Sequence, residues 1–234
     1  MIHIKGISAN DLFIKLSKKI ISNGRLIGPR NLLTKELTDV WLELENPGRS
    51  IVTLKSRNAD IKYLKAELKW YLSGSLDVKD INKHSSFWTK LSDTNGTINS
   101  NYGYLAFKSK YSGKSQYEWC INSIKKDIYT RQALINYNQP KHKYENNKDF
   151  VCTIAQQFIV RNGKLDSNVF MRSNDIIFGL TYDMPWFCLL QKRMARELRL
   201  PIGSYKHFAT SMHAYEKHFN IIEEMSKEDI NFYK

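Results

Sequence analysis

At 234 residues, 42% hydrophobic and 12% aromatic, the chain is long and apolar enough for one large domain with a covered core, which excludes a disordered protein. No stretch approaches the roughly 20 apolar residues of a membrane span, and "MIHIKGISANDLF" lacks the basic start and apolar run of a secretory signal, so a cytoplasmic chain is expected. The net charge of +13 invites a nucleic-acid reading, but the lysines are scattered among abundant Asn and Ile, without a basic arm, which leaves solvated lysines from AT-rich coding or attraction of a small polyanionic substrate.

In chain order, Ser8 is placed to cap a helix carrying Leu12, Leu16 and Ile20 and stopped by Gly24. "VWLELE", Val40 to Glu45, alternates as a half-buried strand and breaks at Asn46-Pro47-Gly48. Residues 59 to 72 read as a helix with Ile61, Leu64, Leu68 and Tyr71 on one stripe. Ser92 to Asn101 is turn-rich, and Lys141 to Asp149 reads as an exposed loop. Two strands, "DFVCTIAQQFIV" and "KLDSNVFMRS", meet at Asn162-Gly163, the strongest short hairpin signal because both residues tolerate positive φ. A two-residue turn there sets Cys152, in mid-strand, opposite Ser173 and beside Arg172, with a bulge needed to turn that arginine toward the thiol. Asp183-Met184-Pro185 starts a helix carrying Phe187, Leu190, Met194 and Leu198, and a last helix holds Tyr215, Phe219 and Ile222. Strands and helices mix without regular βαβ alternation, so the expected class is α+β around a large sheet, in one domain over residues 1–234.

Three cysteines without CxxC spacing suit a reducing compartment better than a disulfide framework or a zinc site. Cys120 and Cys188 read as structural. Cys152 alone would also be a small buried hydrophobe, but a guanidinium nearby would lower its pKa and make a nucleophile. Glu67, three residues after Leu64 and four before Tyr71, shares the buried helix face. Its head either reaches solvent or sits in a partly apolar pocket, where a raised pKa would suit proton transfer. Tyr102, just before Gly103, could add a phenol to that pocket or simply pack. No GxGxxG or P-loop is present, and His213 and His218 have no carboxylate at ligand spacing, so no metal is expected.

Six ordered motifs, "AELKWYLSGS", "FWTKL", "NSNYG", "FVCT", "FMRSND…FGLTYD" and "MHAYEKH", resemble thymidylate synthases and, more closely, their viral relatives the deoxycytidylate hydroxymethylases. The match runs from about Gly28 to Phe219. It implies a thymidylate synthase-type sandwich, with a large mixed β-sheet flanked by helices, in a homodimer associating through the sheet, in host cytoplasm if the chain is viral. It also implies 5,10-methylenetetrahydrofolate as co-substrate and a pyrimidine deoxynucleoside monophosphate as acceptor. By resemblance, Cys152 is the nucleophile that adds to C6, Glu67 organises proton transfers and Tyr102 stands near the C5 proton. Arg30, Arg172 and Ser173 match phosphate and nucleophile partners, and His213 with Tyr215 matches the pair on the sugar 3′-hydroxyl. Trp88, Asp175 and Gly179 match folate contacts. Arg131 matches an arginine donated to the neighbouring subunit's site; the family usually has a second arginine next, where this chain has Gln132.

Asp183 stands where thymidylate synthases carry an asparagine facing the base edge. An amide can donate to uracil O4 and accept from N3–H. An ionised carboxylate only accepts, so it suits the cytosine N4 amino group and repels uracil O4. A protonated carboxyl or a bridging water could satisfy cytosine N3. A mismatched polar edge costs roughly 1–3 kcal/mol. Alternatively Asp183 only caps the helix that begins near Pro185. The resulting expectation is hydroxymethylation of dCMP. Its rivals are methylation or hydroxymethylation of dUMP, and an inactive relative that binds nucleotide or RNA.

Overall fold

The computed structural model describes residues 1–93 and 96–233, with Tyr111 described by its backbone alone. Thr94 and Asn95, in the expected turn-rich loop, lie outside them. An eight-stranded mixed sheet accompanied by helices makes the fold α+β. Contacts along the chain divide it into two compact units, residues 1–59 with 161–234, and residues 60–160.

In the first unit, β1 (Ile2–Gly6) leads to α1 (Ala9–Asn23), whose N-cap Ser8 accepts from the Asp11 amide. Leu12, Phe13, Leu16 and Ile20 lie on the inner face of α1 and are fully buried. Each such side chain stabilises the fold by about 1.5–3 kcal/mol. Strand β2 (Arg25–Ile27) pairs antiparallel with the edge of β3 (Thr34–Leu44). Strand β10 (Ile202–Tyr215) is the spine of this unit: β3 runs antiparallel on one side and β8 (Lys164–Met171) parallel on the other, while β9 (Asn174–Asp175) continues the β8 side. Between β9 and β10 lies α6 (Thr181–Leu198), and α7 (Phe219–Lys227) follows β10 and packs on α1.

The inward positions of β10 change phase. Gly203, Tyr205, His207 and Ala209 are buried, and then Met212 and Ala214. Strand β3 skips likewise from Leu37 to Val40, because Asp39 between them adopts φ 55°, a left-handed conformation that breaks the pleat. An unbroken β10 would point residues 213 and 215 into the core. The break turns His213 and Tyr215 to the half-buried side instead.

The second unit holds α2 (Ile61–Ser73), α3 (Lys79–Asn82), α4 (Phe87–Leu91), the short hairpin β4 (Lys110–Tyr111) and β5 (Lys114–Ser115), α5 (Gln116–Lys126), β6 (Leu134–Asn136) and β7 (Thr153–Arg161). Asp60 caps α2 by accepting from the Tyr63 amide, and Gly74 ends it at φ 64°. A reciprocal box between Ser115 and Glu118 opens α5. Strands β6 and β7 pair antiparallel, Leu134 opposite Gln157.

Several expectations are corrected. The strand over "VWLELE" begins six residues earlier, at Thr34, and ends at Leu44. The buried face of α2 carries Leu64, Glu67, Trp70 and Tyr71, while Ile61 and Leu68 are only half-buried. Cys152 is not in mid-strand but is the residue before β7. The 141–149 segment is anchored rather than loose: His142 and Asp149 are buried, and Asp149 accepts from the amides of Asn99 and Ser100, each at 2.7 Å. Helix α6 starts at Thr181, prolonging a wide turn over Ile176–Leu180, so Pro185 lies inside it. Tyr215 ends β10, and the last helix begins at Phe219. The turn between β7 and β8 is as expected, with Asn162 and Gly163 at φ 51° and 71°.

Candidate active site

In the second unit, α2 brings Glu67 to its inner face, where 4% of it is exposed. Tyr63, one turn earlier, donates its hydroxyl to Glu67 Oε1 at 2.6 Å. That hydroxyl in turn accepts from Trp88 Nε1 at 2.9 Å. Trp88 lies on α4 with its ring 5.1 Å from that of Trp70. Two of the expected site residues, Glu67 and Trp88, are therefore joined through a phenol. Tyr102 is buried between Tyr71 and Tyr137, each ring centroid 5.3 Å away. Gly103 makes this possible, since a Cβ there would fall 1.5 Å from the Tyr71 carbonyl oxygen.

The three cysteines separate. Cys120 and Cys188 are fully buried; burial pushes the Cys120 thiol up to about 12 and Cys188 higher still. Cys152 is half-buried, with its Sγ 3.9 Å from the Phe150 carbonyl oxygen. Arg131 and Gln132 precede β6 with both side chains exposed. Their carbonyls accept from Gln157 Nε2 at 2.9 Å and Trp119 Nε1 at 3.1 Å, so the backbone is pinned while the side chains point outward.

In the first unit, the end of β8 feeds half-buried Arg172 and Ser173 into β9. The Asp175 carboxylate accepts from the amides of Ile177 at 2.9 Å and Phe178 at 3.3 Å and so opens the wide turn. Buried Arg57 braces that turn, donating to the Ile177 carbonyl at 2.8 Å and to Thr181 Oγ1 at 3.0 Å. Asp183, in the first turn of α6, does not cap it. The cap position is Leu180, and Asp183 Oδ2 instead accepts from Asn174 Nδ2 at 2.8 Å. Burial pushes the Asp183 carboxyl up to about 7, against the Asn174 hydrogen bond and with help from the negative charge of Asp175. Gly179 passes so close to Asn174 that a Cβ would lie 3.0 Å from its Oδ1.

His213 on β10 is paired in register with Asp175 on one side and Glu36 on the other. Burial lowers its pKa despite both carboxylates, so the imidazole is neutral near pH 7. Its Nδ1 is 3.5 Å from Ser211 Oγ, which also bonds Glu36 Oε1. The Tyr215 ring stands perpendicular to the imidazole at 5.2 Å. Arg30 is exposed in a left-handed turn, φ 54°, between β2 and β3.

Asp175, Gly179, Asp183, His213 and Tyr215 thus gather around β9 and β10, while Arg30 and Arg131 stand out on loops. Sequence reasoning missed Tyr63, Asn174, Glu36 and Arg57. Only Tyr63 carried a usable signal, one helical turn before Glu67. Among the described residues no cluster of three or more His, Cys, Asp or Glu could hold a metal ion, and no helix is long and apolar enough to cross a membrane.

The family pattern described as thymidylate synthase matches residues 11–232. A deoxycytidylate 5-hydroxymethyltransferase of Enterobacteria phage T6 is 31% identical over 174 residues, 69% of this chain and 70% of that protein. A deoxyuridylate hydroxymethyltransferase of Bacillus phage SP01 is 31% identical over 226 residues, 92% of this chain and 59% of that protein. Among solved structures, thermostable thymidylate synthase A of Bacillus subtilis superposes with a TM-score of 0.75 at 21% identity, covering 93% of this chain and 83% of that one.

Proposed function

The chain belongs to the thymidylate synthase family, and from that premise we propose that it transfers a one-carbon unit to C5 of dCMP, giving 5-hydroxymethyl-dCMP. The observation that carries the choice of base is the desolvated carboxyl of Asp183, raised to about 7 and held by an amide instead of capping its helix. Near neutral pH about half of such carboxyls carry a proton. A neutral carboxyl offers one acceptor and one donor, the complement of cytosine N4–H and N3. The name of the T6 relative supports the same base, and both phage relatives are named for a hydroxymethyl product.

Cys152 is the nucleophile in this reading. Its half-buried place ahead of β7 suits a thiolate that must meet a ligand, which the enclosed Cys120 and Cys188 do not. The thiolate adds to C6, and the electron pair of the C5–C6 bond moves to C5, which attacks the one-carbon unit. Methylenetetrahydrofolate supplies that unit when bound. Asp175 and the half-exposed Phe178 fit its pterin end, offering a fixed carboxylate for ring N–H groups and an apolar ring beside it, with Gly179 leaving room. Loss of the C5 proton would break the carbon–nitrogen bond to the departing tetrahydrofolate and leave an exocyclic methylene on C5; water then adds to that carbon, and Cys152 is expelled as the C5–C6 double bond returns. Glu67, with Tyr63 and Trp88, is suited to order that water and take its proton. Tyr102 serves the C5 proton. Arg30, Arg172 and Ser173 serve the phosphate, and His213 and Tyr215 the 3′-hydroxyl.

The acting species in this reading is a homodimer. Trp41, Phe208 and Phe170 sit in register across β3, β10 and β8, half-buried, with ring centroids 5.9–6.5 Å apart, an aromatic stripe suited to pairing through the sheet. Exposed Arg131 is free to reach the phosphate of the neighbouring subunit's site, with Gln132 beside it in place of a second arginine.

A second reading, hydroxymethylation of dUMP, is favoured by the SP01 relative, which matches 92% of this chain. Incubating the protein with methylenetetrahydrofolate and each nucleotide, and weighing the product by mass spectrometry, tests both. Hydroxymethyl-dCMP as the faster product is expected. Equal or faster turnover of dUMP selects the second reading, and a methyl product removes the hydroxymethylase assignment.

A further inference from the structure

Asn174 lies between two residues given roles in the site, Ser173 and Asp175, yet its own side chain turns inward with 3% exposed. Its Nδ2 is 2.8 Å from Asp183 Oδ2 and also faces Met171 Sδ. Among the described residues its Oδ1 has no hydrogen-bond partner, and it faces Gly179, where a Cβ would approach to 3.0 Å. A glycine next to a buried amide, and an amide aimed at a half-buried carboxyl, are a supporting arrangement for the carboxyl.

Its chemical effect follows from carboxylic acid geometry. When neutral, a carboxyl has one acceptor oxygen and one hydroxyl. An oxygen that already receives an amide N–H is held as the acceptor, because the hydroxyl oxygen of an acid is the poorer acceptor. The amide cannot be reversed without setting Asn174 Oδ1 against the ionised form of Asp183.

We infer that Asn174 is a specificity-determining positioning residue: by donating to Asp183 Oδ2 it confines that carboxyl's proton to Oδ1, so that Asp183 meets the base with one fixed donor and one fixed acceptor. Cytosine presents a donor at position 4 and an acceptor at N3; uracil presents the reverse. A carboxyl free to carry its proton on either oxygen would match both bases. With the proton confined to one oxygen, it matches one of them. With Oδ2 turned toward N4 and Oδ1–H toward N3, the orientation this inference requires, that base is cytosine. The neutral form is accessible because burial raises Asp183 to about 7, and the charged neighbour bearing on it is Asp175, whose carboxylate also favours protonation. The inference rests on the proposed reading of Asp183 as the base-facing group.

Two measurements test it on the full chain. In the first, kcat/KM for dCMP and for dUMP is compared in wild type, Asn174→Ala and Asn174→Leu; the leucine keeps the volume without the donor should the alanine variant fold poorly. The dCMP-to-dUMP ratio is expected to fall about ten- to a hundredfold in either variant, mainly through faster dUMP turnover. In the second, calorimetric titration of wild type with dCMP in buffers of different ionisation enthalpy should show uptake approaching about one proton per site at about pH 8. Proton release on binding dCMP would overturn the inference, as would an unchanged ratio in a folded variant whose wild type prefers dCMP. A wild type without dCMP preference would remove the reading of Asp183 itself, and the inference with it.

Discussion

Glu67 and Asp183 are carboxyls in two units of one chain, each receiving a hydrogen bond from a neutral side chain, and the proposed reaction gives them different work. Glu67 is deeply buried on α2 and bonded by the hydroxyl of Tyr63, which itself accepts from Trp88. Asp183 is half-buried at the start of α6 and bonded by the amide of Asn174. A phenol can give up its proton and take it back, so the bond between Tyr63 and Glu67 can move one. An amide cannot, so the Asn174 bond can only orient. In the proposed reaction the partner atom, more than the depth of burial, separates the proton-handling carboxyl from the reading one.

The sharpest way to break this comparison is through Cys152, the nucleophile of the proposed reaction. Cys152→Ser should lower turnover by about 10⁴-fold or more while leaving nucleotide-induced thermal stabilisation intact, since a hydroxyl is far less nucleophilic than a thiolate. Unchanged turnover would remove the mechanism. The two carboxyls should then diverge. Glu67→Gln is expected to lower kcat by about 10²–10⁴-fold on either nucleotide, and Tyr63→Phe by less in the same direction. Asp183→Asn should instead trade substrates, shifting the dCMP-to-dUMP ratio by about ten- to a hundredfold toward dUMP. If Glu67→Gln changed the ratio and Asp183→Asn changed only the rate, the two assignments would have to be exchanged. Gly179→Ala should act more weakly in the sense of Asp183→Asn, because the new Cβ must push Asn174 Oδ1 by a few tenths of an ångström.

What was legible in the chain was local. The stripe that places Glu67 inward is a spacing of three and four, and the Asn162-Gly163 turn is a matter of two φ angles. The motifs carried the family, whose pattern matches residues 11–232. Features set by contacts distant in sequence were not legible. Nothing in "LTDVWLEL" announces that Asp39 goes left-handed, in the part of β3 paired with the stretch of β10 where the phase changes ahead of His213 and Tyr215. The start of α6 was misplaced because Pro185 looked like a first-turn proline, whereas Asp175 and Arg57 secure the turn ahead of it. Asn174 was read past because its partner lies nine residues on, across that turn.

The smallest expected effect isolates Asp183 from all chemistry. Its carboxyl holds a proton more tightly in the folded protein, to about 7, than in the unfolded chain, near 3.8. The stability contributed by this group is therefore fully present below the lower value and is lost as pH rises through the upper one. Asp183→Asn has no proton to lose, so its melting temperature should fall less than that of wild type between about pH 4 and about pH 8. Other groups titrate in the same range, but they are common to both proteins and cancel in the difference. Parallel melting curves would mean that the folded carboxyl titrates like an exposed one. Asn174 would then hold a permanent carboxylate, with no proton to confine.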